Sequence, residues 1–413
     1  MVTLFAAVLL GLTLGSYLYL VHAQNISVFR SQAWNGALAM AEAGVEEALA
    51  QLNQGGVPGP EGVNWSANGW GPPDGGTYGP ISRSLGGGSY SVTFTTNAAS
   101  PRPTIVSTGY VQVPAISATL SRVVQVTTTN APLFAAAVVG KDRIDLNGWS
   151  FFSDSFDSSD PNYSDNGGYP SSYPARMRTQ GNVASVAGLL HVGSATIHGS
   201  LLLGPTGAYS VGTNGSVGPV SYDFNVDFPD VVLPATTWWS PPGPDTINGF
   251  HYDHVFLHSG DFKVRDFDKI YVGTNVNVRI WLYDSRFRMS GSDAVIRIAP
   301  VGASLKIYMT SASFSMEGQG VVNESGYTTN FYYFGLPGNT NVSWGSNSNF
   351  VGAIYAPQAA LWLGSGGSDH ADFIGACLAK SVTLNGQFRF HFDEDLARQG
   401  PARGYLATSW KEL

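Results

Sequence analysis

A chain of 413 residues exceeds the usual size of one domain and is long enough to bury more than one core. Its 21 basic and 29 acidic residues give a formal charge of -8 with no basic stripe, which excludes a phosphate-binding surface and removes nucleic acid from the expected partners. Cys377 stands alone, so an intrachain disulfide and a cysteine-rich zinc site are excluded, while 50 glycines beside only 12% charged residues indicate short strands and turns.

The first 29 residues contain no Asp, Glu, Lys or Arg, and Arg30 is the first formal charge. The apolar stretch 1–23 would be roughly 35 Å long as a helix, enough to cross a bilayer core of about 30 Å. It lacks the basic n-region of a cleaved secretory signal, and Ser31-Gln32-Ala33 is a poor cleavage site. Beyond it, Leu38, Ala41, Val45, Ala48, Leu49 and Leu52 recur at three- and four-residue steps, with Glu42, Glu46 and Glu47 on other faces. The spacing predicts one continuous helix ending near Asn53, where Gly55, Gly56, Pro58 and Pro60 stop it. Such a helix is roughly 80 Å long, so half of it must lie outside any globular body. Gly11, Gly15, Gly36 and Gly44 inside it suggest close backbone approach by neighbouring helices, since interior glycine costs about 1 kcal/mol. The simpler reading is a membrane anchor that tethers an outer domain.

A helix with an entirely apolar first half and an amphipathic second half resembles the N-terminal helix of type IV pilin-like proteins. Its second half, from Arg30 to Leu49, resembles the PilX-type branch of pilus-assembly proteins, most specifically in Ala41-Glu42-Ala43-Gly44-Val45-Glu46-Glu47-Ala48. The resemblance implies a leader removed by a prepilin peptidase, an inner-membrane stage before assembly, and then packing in the core of a helical filament with other copies or other pilins. The pilin pattern places Glu at the fifth mature position, where this chain has Phe5. The implied polymerisation surface is Val2, Leu4, Phe5, Val8, Leu9, Leu12, Leu14, Leu18, Leu20 and Val21.

Residues 55–88 read as a Gly/Pro-rich linker, docked by Trp65 and Trp70. Three alternating runs, 89–96, 104–113 and 118–128, predict an antiparallel meander over 89–131. In pilin-like proteins such a sheet covers the second half of the helix.

From residue 132 to 396 internal repetition dominates. Ala137 to Gly148 parallels Ala376 to Gly386 with one residue inserted, and Phe350-Val351-Gly352-Ala353-Ile354-Tyr355-Ala356 parallels Phe373-Ile374-Gly375-Ala376-Cys377-Leu378-Ala379, 23 residues later. Short strands with glycine turns are expected at 188–192, 195–203, 254–258, 269–272, 276–282, 294–298 and 304–309. The pattern predicts a right-handed β-helix, with handedness taken from fold-level expectation. The fold class is therefore mainly β with one long N-terminal helix: a pilin-like helix and antiparallel sheet, then a β-solenoid, then a tail at 397–413. The stretch from Tyr355 to Leu396 also resembles the β-helical domains attached to PilX-type proteins.

Candidate chemistry is sparse. Asp154, Asp157, Asp160 and Asp165 on a Ser/Gly/Asn-rich loop offer hard oxygens for calcium without EF-hand spacing, and Asx-turns explain them more simply. His391, Asp393, Glu394 and Asp395 alternate with Phe388, Phe390 and Phe392, so their polar face is expected to meet solvent at the end of the solenoid. No nucleophile elbow or phosphate loop occurs. No cofactor and no catalysis are expected, although a β-helix polysaccharide lyase or hydrolase is a rival reading. A second rival is a glycan-binding adhesin using Tyr163, Tyr169, Tyr173, Trp238 and Trp239. Cys377 in its apolar rung reads as a buried small hydrophobe.

Overall fold

The structure, a computed structural model, describes every residue except 55–63, 98–99, 115, 147–150, 173, 285, 346–349 and 365–370. One long N-terminal helix precedes a body made almost wholly of strands. The described residues fall into two compact units, one drawn from 1–55, 62–131 and 404–413, the other from 132–403.

In the first unit a single helix, α1, runs unbroken over Val2–Leu52 and is capped at Asn53. Its packed stripe is Ala33, Ala37, Ala41, Gly44, Val45, Ala48, Gln51 and Leu52. Small residues at four-residue steps bring the helix backbone close to the sheet, while Leu38 and Leu49 flank the contact half-buried. Four antiparallel strands follow: β1 (Thr77–Leu85), β2 (Gly88–Asn97), β3 (Ser100–Val113) and β4 (Ala118–Pro132). Inward residues alternate as period 2 requires, with Tyr90, Val92 and Phe94 on β2 and Val124 and Val126 on β4 closing over Ala41, Val45 and Leu52. The contact is tight. A Cβ at Gly44 would stand 2.2 Å from the Ser107 hydroxyl oxygen, and one at Gly109 would stand 2.0 Å from the Ala37 carbonyl oxygen. Two of the four helix glycines expected to meet neighbouring helices, Gly36 and Gly44, therefore face this chain's own sheet, at Val111 and at Ser107.

Two segments differ from their sequence reading. The stretch expected to be irregular up to residue 88 contains edge strand β1, whose only buried residue is Ile81 and whose register shifts between Tyr78 and Ile81 at Pro80. One inward residue beside a proline leaves almost no alternating signal. The expected tail contains a strand, Ala402–Glu412, which lies next to β4 in the sheet. There Arg122 pairs with Glu412, and the Asn53 side chain bonds both backbone groups of Tyr405. Trp65 and Trp70 dock as expected, against Tyr78 and Phe94 at 5.8 and 4.8 Å between ring centroids. Gln51 secures the same loop by donating to the carbonyls of Trp65 and Ala67 at 3.0 and 3.2 Å.

The second unit is built of parallel ladders. In one, Gly260–Val264, Asn277–Leu282, Ser304–Met309 and Phe331–Gly335 pair in turn, followed by Phe350–Gly364 and Ala371–Asn385. That last strand then pairs with Val138–Asp145, and the ladder continues through Val183–Ser185, Leu201–Leu203 and Val220–Ser221. A second ladder runs beside it through Arg286–Met289, Ser313–Met316 and Asn341–Trp344, and a third joins His254–Phe256, Lys269–Val272, Val295–Ile298 and Gly320–Asn323. Like residues stack on like. Ile280, Ile307, Tyr333, Ile354, Cys377, Val138, Val183 and Leu201 form one buried row, and Phe350, Phe373 and Phe390 stack at 4.2 and 4.3 Å. Burial pushes the Cys377 thiol up, as expected of a small apolar filler.

Both sequence repeats are direct neighbours in these ladders. Phe350 to Ala356 pairs residue for residue with Phe373 to Ala379. Cys377 to Ala379 pairs with Val138 to Gly140, and the inserted residue is a bulge after which Ser381 meets Arg143. Gly375 has φ +132°, and a Cβ there would stand 1.8 Å from the Gly352 carbonyl oxygen of the adjacent rung, which accounts for glycine at both repeated positions.

Since the ladder begins at Gly260 and ends at Val220–Ser221, the chain must return along its length. It does so over residues 222–253. The Tyr355 hydroxyl donates to the Pro229 carbonyl at 2.6 Å, Trp238 packs on Trp281 and Tyr308, and Trp239 bridges to Phe262.

Candidate functional site

Among the described residues, none of α1 upstream of Ala33 is buried. Val2, Leu4, Phe5, Val8, Leu9, Leu12, Leu14, Leu18 and Leu20 are exposed, from 48% at Leu9 to 83% at Val2, and Val21 is half-buried. These positions occupy every side of the helix, so this half is apolar all round rather than amphipathic. It is long and apolar enough to cross a membrane. The Thr13 hydroxyl is satisfied within the helix, lying 3.0 Å from each of the carbonyls of Leu9 and Leu10. The first turn carries neither an acidic residue nor a capping side chain. Gly11 and Gly15 have open space beside them within this chain.

Glu47 accepts from Tyr90 at 2.6 Å and from the Arg83 guanidinium at 2.8 Å. Burial would raise its carboxyl, but these two donors and the Arg83 charge outweigh it and hold it below the usual carboxylate range. The Tyr90 hydroxyl is pushed up to about 12 by burial and by its bond to Glu47.

The four loop aspartates do not converge. Asp154 is fully buried and accepts from Tyr169 at 2.9 Å, Asp157 pairs with Arg398 and Ser159, Asp160 caps Asn162 in an Asx-turn, and Asp165 is held by Ser171 and Arg176. Each carboxylate is occupied by a different internal donor. Among the described residues no group of three His, Cys, Asp or Glu side chains is placed to hold a metal ion.

The expected solvent-facing cluster after Phe388 is instead buried: His391, Asp393, Glu394 and Asp395 all lie at most 8% exposed. The reason is pairing with a strand far away in sequence. Phe388–Asp393 runs parallel to Phe152–Phe156, which brings His391 opposite Asp154. The His391 Nδ1 lies 2.6 Å from Asp154, its Nε2 lies 3.6 Å from Asp372, and Tyr169 stacks on its ring at 3.7 Å. Asp393 accepts from Thr328, Ser158 and Asp395, and burial pushes its carboxyl up. Burial disfavours the charged imidazole of His391, but the hydrogen bonds and charges of Asp154 and Asp372 outweigh that and raise its pKa above the ordinary 6.5. The cluster's contribution to stability is then fully present below pH 6.5 and is lost as pH rises through the folded value. The thermal midpoint of the full chain, followed by circular dichroism, is expected to fall as pH rises above 6.5, and His391→Gln is expected to remove that slope. An unchanged slope in the variant would assign it to another group.

The aromatic candidates are scattered as well. Tyr169 is committed to His391, Tyr163 lies under Arg178 at 4.6 Å, Trp238 is half-buried against Trp281 and Tyr308, Trp239 is 64% exposed, and Tyr173 lies outside the described residues. Sequence reasoning missed the His391–Asp154–Tyr169–Asp372 cluster, whose members no local spacing connects.

A family profile described as "Domain of unknown function (DUF7305)" matches residues 260–399, from the strand that starts at Gly260 through the strand Phe388–Asp393. No curated protein matches the sequence. Among solved structures the chain is similar to the competence-associated pilin ComZ from Thermus thermophilus, at 11% identity and a TM-score of 0.31, over 92% of this chain and 98% of that one. A likeness at that level carries no argument about this chain.

Proposed function

We propose that this protein is a structural subunit of a type IV pilus-like extracellular filament, without catalytic activity, held in the inner membrane by α1 before assembly. The observation that carries the reading is the charge-free half of α1, exposed on all sides and apolar on all sides. Such a surface is stable only in lipid or among other apolar helices. The small residues Gly11 and Gly15, four apart on one side and open, favour the second environment, because helices in apolar surroundings associate through close backbone packing. The sequence resemblance to PilX-type proteins adds other pilins, a prepilin peptidase and the assembly machinery as partners. We further propose that the parallel ladders wind as a right-handed β-helix displayed outside the filament core, since strands of the three ladders follow one another in chain order.

The test is recovery. Filaments sheared from the cell surface should contain this chain by mass spectrometry, and its confinement to the membrane fraction of filament-bearing cells would overturn the reading.

A further inference from the structure

A surface of the second ladder carries a feature that the filament reading does not use. Along it, Arg288, Ser315, Ser343, Trp362 and Thr383 stand opposite one another on successive strands. At about 4.8 Å per strand the row is roughly 19 Å long. Two adjoining grooves of 510 and 420 Å³ share Ser315, Ser343 and Trp362, and Glu317 and Asn385 line the larger.

Trp362 is 41% exposed in a strand whose flanking residues Leu361 and Leu363 are buried. Its posture is set by Gly364, the next residue on the same face. A Cβ at Gly364 would stand 2.0 Å from the indole ring, so the ring occupies the space that a side chain there would fill. The indole therefore lies along the strand over Gly364, with part of its surface exposed. Neither Ser315 nor Ser343 has a side-chain partner among the described residues. The charges beside them are already matched, Arg288 to Glu317 at 2.7 Å and Arg143 to Asp145 at 2.7 Å.

From this we infer that the groove over Trp362 binds a neutral oligosaccharide, with one sugar ring lying on the indole. The electron-rich face of an indole attracts the polarised C–H groups on the flat side of a pyranose, while serine hydroxyls and the Asn385 amide suit its equatorial hydroxyls. Matched charges leave no site for an anionic polymer. A stacking site for single-stranded nucleic acid needs a cationic groove as well as an aromatic face, and this groove lacks one. The inference does not depend on filament assembly.

The experiment uses the full chain in a zwitterionic detergent, because a maltoside headgroup would compete for the site. Cellohexaose, maltohexaose and chitohexaose are titrated calorimetrically. Saturable binding of at least one is expected, weakened at least tenfold in Trp362→Ala and in Gly364→Ala, retained in part in Trp362→Tyr, and unchanged in Trp239→Ala. Absence of binding by all three sugars, equal binding by Trp362→Ala, or displacement of the bound sugar by a single-stranded oligothymidylate would each overturn it. Circular dichroism of each variant separates lost binding from lost folding, and Trp362→Tyr decides the matter if Trp362→Ala fails to fold.

Discussion

Leu9→Asp is expected to abolish filaments while leaving both folded units intact. Leu9 lies about one turn from the centre of the apolar stretch 1–23 and is half exposed. A carboxylate near the centre of a membrane-spanning helix costs about 2.5–3.5 kcal/mol, which is roughly a hundredfold in the equilibrium for each subunit. In a filament core the same charge would be buried among apolar helices without a partner, which is costlier still. Leu85→Asp is the control. That leucine is 54% exposed at the edge of the sheet, and exposed substitutions of this kind change stability by less than about 0.5 kcal/mol. Electron microscopy of sheared filaments, with flotation of membranes from the same cells, reads both outcomes. Normal filaments from Leu9→Asp cells would sink the core-packing proposal.

The largest effect on folding is expected from Gly109→Val. A Cβ at that position would lie 2.0 Å from the Ala37 carbonyl oxygen and 2.5 Å from the Ala41 nitrogen, both backbone atoms of α1. A flexible side chain can move aside, but a helix backbone cannot move without lifting Ala41, Val45 and Ala48 from the sheet. Overpacking usually costs 1–3 kcal/mol, and a clash with a helix backbone on both sides is expected at or above about 3 kcal/mol. The midpoint of the first unit should then fall by about 10 °C or more. Gly243→Ala, where nothing lies within 4 Å, should leave it in place. Thermal unfolding followed through the buried Trp70 checks both, and a shift of only a degree or two in Gly109→Val would mean that helix and sheet are more loosely joined than described.

Much of the architecture was legible because its signals are local. Periodicity marked α1 to within a residue of Asn53, alternation marked β2 to β4, and the two repeats marked strands that prove to be paired neighbours. Where partners come from far away, local pattern fails. Nothing in residues 402–412 announces that they complete the first sheet. His391 was expected in solvent because Asp154, Tyr169 and Asp372 could not be placed around it from spacing alone. Gly36 and Gly44 carry a signal for close approach but not its direction, and the same glycine logic that suggested neighbouring helices applies to the chain's own sheet. The loop aspartates show the converse error: acids close in sequence need not point at a common centre. Trp362 was passed over because an indole followed two residues later by glycine looks like any strand until the ring is seen lying across it.

The pairing of Cys377 to Thr383 with Val138 to Asp145 also bears on how the protein is made. These partners are roughly 240 residues apart in the chain, among the most distant contacts a domain of this size can have. During synthesis the rung at Val138–Asp145 emerges early and keeps one row of backbone amides and carbonyls unpaired until Ala371–Asn385 has been made, and β4 likewise waits for Ala402–Glu412. Exposed strand edges of this kind invite pairing with other chains. A product truncated before residue 376 therefore lacks the strand partners of both Val138–Asp145 and β4, and leaves an unpaired edge in each unit.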